Sequence, residues 1–327
     1  MEEIKASIWK LRPTLKETTV KQYIASLKKL QKNFEAEDFD FLNFPESVKE
    51  QLEGPQKNGK TLHFTSQRNM YTAIIIYLLI WKGDPLVDDN IKIYEEWRDE
   101  LNVKYEKQQE SGVISDKQAP NFITKDELLS FIQLMKKDIK KDKQTYMVYV
   151  LFEILTRIPV RNDLAGLTLL NHSDHYKDKG GPTNYLVKDK GFGKGFKKDT
   201  GGFTFIDNQY KTNKKHGTLE IPIAGDSELA LILRGYMYYN DFKKNDVLFP
   251  ITQNYLSQLL IKYSKQYIGK SISTTLIRKI ITSDKFLDTK LEQEKHAKML
   301  GHTVQTENMV YIKKAQYPSL ATSPPSS

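Results

Sequence analysis

Apolar residues recur at helical spacing near the start of the chain. From Thr18 onward they fall at the i, i+3, i+4 and i+7 positions of one helix face, and either Thr18 or Thr19 is placed to cap that helix. The stripe consists of Val20, Tyr23, Ile24, Leu27, Leu30 and Phe34. This spacing predicts an amphipathic helix with a buried face.

Two more helices are predicted in this region. One begins after Thr65-Ser66 and ends at the Gly83-Asp84-Pro85 break, and the next covers residues 89–109. The apolar run YTAIIIYLLIW inside the former is too short for a bilayer, which needs about 20 apolar residues, so it predicts a buried helix. We expect an all-α domain over residues 1–110.

The apolar pattern lapses over residues 111–121, which predicts a linker. A second domain, expected over residues 122–316, begins with Thr124 and Glu127 at capping-box spacing. The apolar run Tyr146–Leu155 then predicts a buried helix that ends before Pro159.

Alternation of period two replaces helical spacing in the middle of the second domain. Short strands are predicted over residues 184–187, 202–206 and 218–223, and helices over residues 227–239, 252–267, 273–283 and 293–300. The Ser- and Pro-rich tail, residues 317–327, is expected to be disordered. The predicted fold class is mainly α with a small antiparallel β-sheet (α+β).

Composition adds a class of partner. The 327-residue chain has 50 Lys and Arg against 41 Asp and Glu, a formal net charge of +9. Such an excess favours a polyanion such as double-stranded DNA, because cations that neutralise phosphates release condensed counterions. With no cysteine, disulfides and thiolate sites are excluded.

Nothing in the sequence indicates a membrane or an export signal. The N-terminal stretch MEEIKASIWKLRP is charged and has no apolar core. We expect a soluble, intracellular protein, located in the host cytoplasm or nucleus if the gene is viral.

Several polar residues of the second domain form an ordered set that suits chemistry on a phosphodiester. The set consists of Arg161, Lys211, Arg278, the tripeptide Leu300-Gly301-His302, and Tyr311, nine residues after His302. A tyrosine phenol can keep the bond energy of a cut strand as a covalent ester. Two arginines can clamp the non-bridging oxygens, a lysine can protonate the leaving oxygen, and a histidine can donate to the phosphate. This chemistry needs no metal and no other cofactor.

These residues resemble the tyrosine recombinase (phage integrase) family. The wording PVRND around Arg161 is similar to members from large DNA viruses, their satellite viruses (virophages) and related mobile elements. The resemblance implies a helical core-binding (SAM-like) domain followed by a catalytic domain, both closing on duplex DNA. It implies site-specific recombination or integration through a 3′-phosphotyrosine at Tyr311, by a homotetramer on paired sites.

The resemblance also implies a role for each matched residue. Arg161 matches the first arginine. Asp163, two positions after it, stands for the acidic residue that usually comes three positions after that arginine. Lys211 matches the lysine of a β-hairpin, with Lys214 as a rival because the spacing to Pro222 varies.

The remaining matches lie near the C-terminus. Arg278 matches the second arginine, and Thr275 replaces the family's histidine, so the usual acid/base group is missing there. Tyr317, beside the Pro-rich tail, is the other local tyrosine.

Further basic and histidine residues have weaker signals. DNA contacts are expected from the helical faces of the first domain and from a basic glycine-rich loop of the second. These candidates are Lys21, Lys28, Gln67, Arg68, Lys194 and Lys197. His172 and His175 have two-ligand metal spacing without a third ligand, so no metal site is predicted.

Two other functions fit the same residues. One is a type IB topoisomerase or telomere-resolvase-like enzyme, which would relax or reseal DNA. The other is a catalytically decayed DNA-binding protein, with Thr275 as a mark of the decay.

Overall fold

The computed structural model describes residues 1–56, 59–171, 183–189 and 200–308. The chain divides into two compact units at Ile114 and Ser115. Tyr311, Tyr317, Lys194, Lys197, His172, His175 and the tail from residue 317 lie outside the described residues.

The first unit is helical. Its helices are α1 (Glu2–Leu11), α2 (Glu17–Asn33), α3 (Pro45–Glu53), α4 (Phe64–Leu78) and α5 (Pro85–Glu110), with 3-10 turns at Asp40–Asn43 and Leu79–Trp81. Helices α2, α4 and α5 match the predicted ones to within a few residues, and α1 and α3 were not predicted. The N-cap of α2 is Lys16 and not Thr18 or Thr19, which lie inside its first turn.

An aromatic cluster holds α4 and α5 together. The rings of Tyr71, Tyr94 and Trp97 lie with centroids 5.7–6.1 Å apart, and the Tyr94 hydroxyl donates to the Leu42 carbonyl oxygen (2.9 Å). The hydroxyl is thus paired although the ring is buried.

The second unit is mostly helical and carries one sheet. Its longer helices are α6 (Lys125–Lys136), α7 (Lys143–Arg157), α9 (Glu228–Tyr239), α10 (Gln253–Ile268) and α11 (Thr274–Met299). The strands are β1 (Thr168–Asn171), β2 (Tyr185–Lys188), β3 (Phe203–Asp207) and β4 (Leu219–Ile223), and the short helices are α8 (Asn213–His216) and α12 (Val304–Thr306). An α+β fold class is therefore confirmed.

Helix α7 is the centre of this unit. Every residue from Met147 to Thr156 on it is buried, as the apolar run predicted, and Tyr146 is partly buried. The capping box is also confirmed, since Thr124 accepts from the Glu127 backbone and Glu127 from that of Thr124.

The sheet is antiparallel over the three predicted strands and differs from the prediction by a fourth strand, β1, which was not predicted. Its order is β1-β2-β3-β4, and β1 runs parallel to β2, with Thr168 opposite Tyr185. The other two pairings are antiparallel. The 13 residues between β1 and β2 (172–184) are long enough for the crossover connection that a parallel pair requires.

Part of the predicted linker belongs to the second unit. Asn121 accepts a hydrogen bond from the Ser271 backbone (2.7 Å), and the Pro120 carbonyl accepts one from Lys270 (2.7 Å). The 3-10 turn Ala119–Asn121 is therefore anchored on the segment between α10 and α11.

The two helices predicted over residues 273–283 and 293–300 are one, which corrects that prediction. Helix α11 has 26 residues, and its stretch 284–292 is exposed throughout. No glycine or proline interrupts this stretch, and Lys290 pairs with Glu294 at i,i+4 (3.4 Å), so local propensity continues the helix. Along the described ranges, no helix has the length and apolar character to cross a bilayer.

Candidate active site

The Arg161 segment is held from two sides by its neighbour Asn162. The Asn162 amide donates to Ser257 Oγ on α10 (2.9 Å), and its Oδ1 accepts from Thr274 Oγ1 on α11 (2.7 Å). Arg161 itself is exposed, and the 3-10 turn Asn162–Leu164 that follows buries Asp163. The exposed Arg161 is thus next to a residue that is hydrogen-bonded to both α10 and α11.

Arg278 reaches the same segment from α11. Its Nε donates to the carbonyl oxygen of Pro159 (2.9 Å), although the two residues are 119 positions apart. The pKa of Arg278 is lowered by burial and further by the positive charge of Arg161, and the carboxylate of Asp163 opposes both effects. The fold therefore brings Arg161 and Arg278 together.

Asp163 only partly compensates these two charges. Burial raises the pKa of its carboxyl, while a hydrogen bond from the Arg161 backbone and the charges of Arg161 and Arg278 oppose the rise. Asp163 supplies at most one negative charge against the two guanidiniums, and Arg161 is exposed. Such a pair can bind the oxygens of one phosphate in forked geometry.

Thr275 lies one helical turn before Arg278, on the same face of α11. It is exposed and follows the N-cap Ser273 by two residues. A hydroxyl at this place can donate to an anion, but it does not titrate near neutral pH.

The lysine candidates lie on the connection between β3 and β4, an antiparallel hairpin as expected. Lys211 and Lys214 are both exposed, and Lys214 is part of α8. The Tyr210 hydroxyl donates to the Gly217 carbonyl (2.7 Å) and closes the connection. Both lysines remain candidates for the general acid.

A buried polar group beneath this connection was not predicted. Asp207 ends β3 with 1% of its surface exposed, and burial together with the negative charge of Asp163 raises its pKa to about 6. Asn184, also buried, accepts from the backbone N–H groups of Asn208 (2.8 Å) and Gln209 (3.0 Å). The signal in the sequence was a polar residue at one end of each of two apolar strands: Asn184 directly before β2, and Asp207 at the end of β3.

His302 lies at the far end of α11 from the arginine pair. Gly301 takes a left-handed conformation (φ 71°) and the His302 N–H donates to the Ala297 carbonyl (3.1 Å), so the helix ends at Gly301 as predicted. The helix rises about 1.5 Å per residue, so Arg278 and Met299 are about 30 Å apart along its axis. The structure does not bring His302 to Arg161 and Arg278.

The residues that follow His302 are tied back to the same helix end. The Glu307 side chain is 7% exposed and its Oε1 lies 2.5 Å from His296 Nδ1. Thr303 caps α12 by accepting from the Thr306 backbone (3.1 Å). Residues 303–307 therefore lie at the distal end of α11.

The first unit has a polar groove of about 800 Å³ between α2, α4 and α5. Three cations, three amides and three hydroxyls contribute to its lining: Lys29, Arg68, Arg98, Gln22, Asn69, Asn102, Thr19, Ser26 and Thr72. Of these only Arg68 was predicted as a DNA contact; it lies 4.3 Å from the centre of the Tyr105 ring. The polar face of α2 that carries Thr19, Gln22, Ser26 and Lys29 was the signal for the α2 side of the groove.

The other predicted DNA contacts of this unit have different surroundings. Lys21 pairs with Glu17 (2.8 Å) at the surface, and Lys28 is exposed on α2. The Gln67 amide donates to the carbonyl oxygens of Leu52 and Leu62, so it holds the polypeptide before α4.

No protein-family model, curated protein sequence or solved structure matched the chain. The candidate site is therefore defined by its own geometry: an arginine pair, a lysine-bearing hairpin and a buried polar group between them.

Proposed function

We propose that the protein is a tyrosine-type DNA strand transferase, a site-specific recombinase or integrase. The observation that carries the proposal is the contact of Arg278 with Pro159, two residues before Arg161. It joins two guanidiniums from distant parts of the chain at one partly exposed place, with Asp163 as partial counterion. A phosphodiester is the anion that this pair, on a basic protein with a polar groove, fits best.

In this proposal Tyr311 loses its phenol proton to water, its oxygen bonds to the phosphorus, and the P–O5′ bond breaks. Arg161 and Arg278 stabilise the charge on the non-bridging oxygens. Lys211 or Lys214 gives a proton to the departing 5′-oxygen, and His302 donates to the phosphate. Reversal by another 5′-hydroxyl rejoins the strand, so neither metal nor ATP is needed.

The position of His302 bears on how the site is completed. Because His302 lies at the distal end of α11, a single chain in the described conformation does not bring His302 to the arginine pair. We propose that a second copy supplies His302 and Tyr311, in a homotetramer on paired DNA sites.

A DNA-binding protein without strand transfer is the second candidate. Thr275 in place of a histidine and the distance between His302 and the arginine pair favour it. It predicts binding to duplex DNA with no covalent product.

A denaturing gel for protein–DNA adduct separates the two candidates. The substrates are nicked duplexes from the boundaries of the DNA element that carries the gene, and the proteins are the wild type, Tyr311→Phe and the matched control Tyr317→Phe. Strand transfer predicts an adduct that is absent only from Tyr311→Phe. Binding on a native gel with no adduct from the wild type would leave the DNA-binding candidate, and relaxed plasmid without recombinants would indicate a topoisomerase.

A further inference from the structure

Asn184 joins three parts of the second unit through one buried side chain. Its Nδ2 donates to the Asp163 carbonyl oxygen (2.8 Å). Its Oδ1 accepts from the backbone N–H groups of Asn208 and Gln209 (2.8 and 3.0 Å). Only 7% of the residue is exposed, so water does not compete for these bonds.

The two ends of this bridge are the two parts of the candidate site. Asp163 is two residues from Arg161, and its carboxylate acts on the charge of Arg278. Asn208 and Gln209 begin the β3–β4 connection that carries Lys211 and Lys214. The bridge therefore connects the arginine pair with the lysine-bearing connection.

The connection has further bonds to the same place. Asn208 Nδ2 donates to the Thr183 carbonyl (2.9 Å), next to Asn184. Asn208 Oδ1 accepts from Thr218 Oγ1 (2.9 Å), and the Asn208 carbonyl accepts from Asn213 Nδ2. Asn208 is therefore hydrogen-bonded to both ends of the connection and to the start of α8, and its own backbone N–H donates to Asn184.

The chemistry of this position calls for an amide. Only a side chain with both a donor and an acceptor satisfies a carbonyl on one side and two N–H groups on the other. A carboxylate would face the Asp163 carbonyl with an acceptor and place a third acidic group beside Asp163 and Asp207. Alanine would leave three buried backbone groups without these partners.

We propose that Asn184 is a positioning residue of the strand-transfer reaction, which places the general-acid lysine relative to Arg161 and Arg278. Asn184 acts through the connection and does not touch the DNA. This inference rests on the proposed function. It predicts that loss of Asn184 impairs proton donation to the leaving 5′-oxygen much more than phosphate binding.

The test replaces the leaving oxygen by sulfur. A thiol has a pKa of about 8.5, against about 15.7 for water, which an alcohol resembles, so a 5′-thiolate leaves without a proton from lysine. The full-length protein is given nicked duplexes, selected from random sequence by binding to the wild type, with 5′-oxygen or 5′-sulfur at the mapped cleavage position. Adduct rates are compared for wild type, Asn184→Ala, Asn184→Asp, Lys211→Ala and Lys214→Ala.

A matched control is Asn240→Ala, which removes another asparagine-to-backbone hydrogen bond, from Asn240 Nδ2 to the Tyr236 carbonyl (3.0 Å). Melting temperature and DNA binding are measured for every variant. They show whether a lost rate follows from unfolding or from lost binding.

For Asn184→Ala we expect a loss of about 10²-fold with the oxygen substrate, the size of a misplaced catalytic group. With the sulfur substrate its rate should return to within a few-fold of wild type, as it should for whichever lysine is the acid. Asn184→Asp keeps the acceptor and regains the donor when protonated. Its rate relative to wild type should therefore rise as the pH is lowered from 8 to 6.

Equal rates for Asn184→Ala and wild type with the oxygen substrate would overturn the inference. Equal losses with oxygen and sulfur would also overturn it, since they indicate a general structural defect. In both cases the wild-type adduct would leave the proposed function standing. A wild type that forms no adduct with either substrate would contradict the proposed function, and this inference with it.

Discussion

The carboxyl groups of Asp163 and Asp207 are both buried, and they lie close enough together that the negative charge of Asp163 raises the pKa of Asp207. Asp163 follows Arg161 by two residues, and Asp207 ends the strand before the Lys211 connection. The pKa of Asp207 reaches about 6, with burial as the larger cause and the charge of Asp163 as the second. The site is therefore sensitive to pH below neutrality.

The first prediction concerns how the free energy of unfolding changes with pH. Between an ordinary aspartate pKa and a pKa of about 6 the folded protein holds a proton that the unfolded chain has lost, so stability falls as the pH rises. At about 1.4 kcal/mol per pKa unit, the loss is about 3 kcal/mol at most. Asp207→Asn removes this titration and should gain stability relative to wild type between pH 4 and pH 7, in urea unfolding measured at each pH.

The control is Asp116→Asn, which removes the carboxylate of an exposed aspartate. It should show no such trend relative to wild type. A constant difference between Asp207→Asn and wild type across this range would contradict the raised pKa.

The second prediction concerns the arginine pair. Arg278→Lys keeps the charge but loses the fork and the Nε donor to Pro159, so the phosphate oxygens lose a bidentate partner. We expect adduct formation to fall about 10²–10³-fold, the size of one lost transition-state donor. Native-gel affinity for duplex DNA should change only a few-fold.

Lys279→Arg, at the exposed neighbouring position, should keep wild-type rates. An Arg278→Lys variant that forms adduct as fast as wild type would remove Arg278 from the site.

The third prediction concerns the groove of the first unit. Lys29 lies on the lining between α2 and α4, where it can neutralise one phosphate. Lys29→Ala should weaken DNA binding at every sequence and reduce the slope of log K against log salt concentration by about one. The measurement is a salt titration of affinity by fluorescence anisotropy.

Lys92→Ala removes a cation of the same unit that is paired with Asp89 (2.8 Å) and does not line the groove. It should leave both the affinity and the slope unchanged. Equal slopes for Lys29→Ala and wild type would place DNA elsewhere on the protein.

The parts of the fold that depend on local chemistry could be predicted from the sequence. The capping box at Thr124, the buried helix α7 and the end of α11 at Gly301 each depend on a few neighbouring residues. That Arg161 and Arg278 belong to one site was expected from the ordered set and its resemblance to a known family, since no local pattern predicts the contact of Arg278 with Pro159 across 119 positions.

The parts that failed depend on distant partners or on their absence. Strand β1 was not predicted, and its parallel pairing with β2 is a tertiary contact that periodicity does not report. The stretch 284–292 was predicted to separate two helices, but it contains no glycine or proline and stays helical although exposed. Asn184 and Asp207 were missed because single polar residues at strand ends are common, and only the tertiary contacts give these two a role.

The last prediction tests whether one chain or two complete the site. The arginine pair lies at the start of α11 and His302 beyond its end, about 30 Å along the axis. If a second copy supplies Tyr311, then a chain without its arginine can still donate the tyrosine to a partner that has both arginines. Mixing Arg161→Ala with Tyr311→Phe should therefore restore the adduct that each variant lacks alone. A size tag on one variant shows that the labelled DNA is attached to the Arg161→Ala chain.

The mixture of Arg161→Ala with Arg278→Ala is the control and should stay inactive, because neither chain offers a complete arginine pair. Failure of the first mixture, alongside an active wild type, would mean that each chain uses its own tyrosine. Either helix α11 would then break within its exposed stretch 284–292, or the segment after Gly301 would detach from the helix end and extend toward the arginines, at about 3.3 Å per residue.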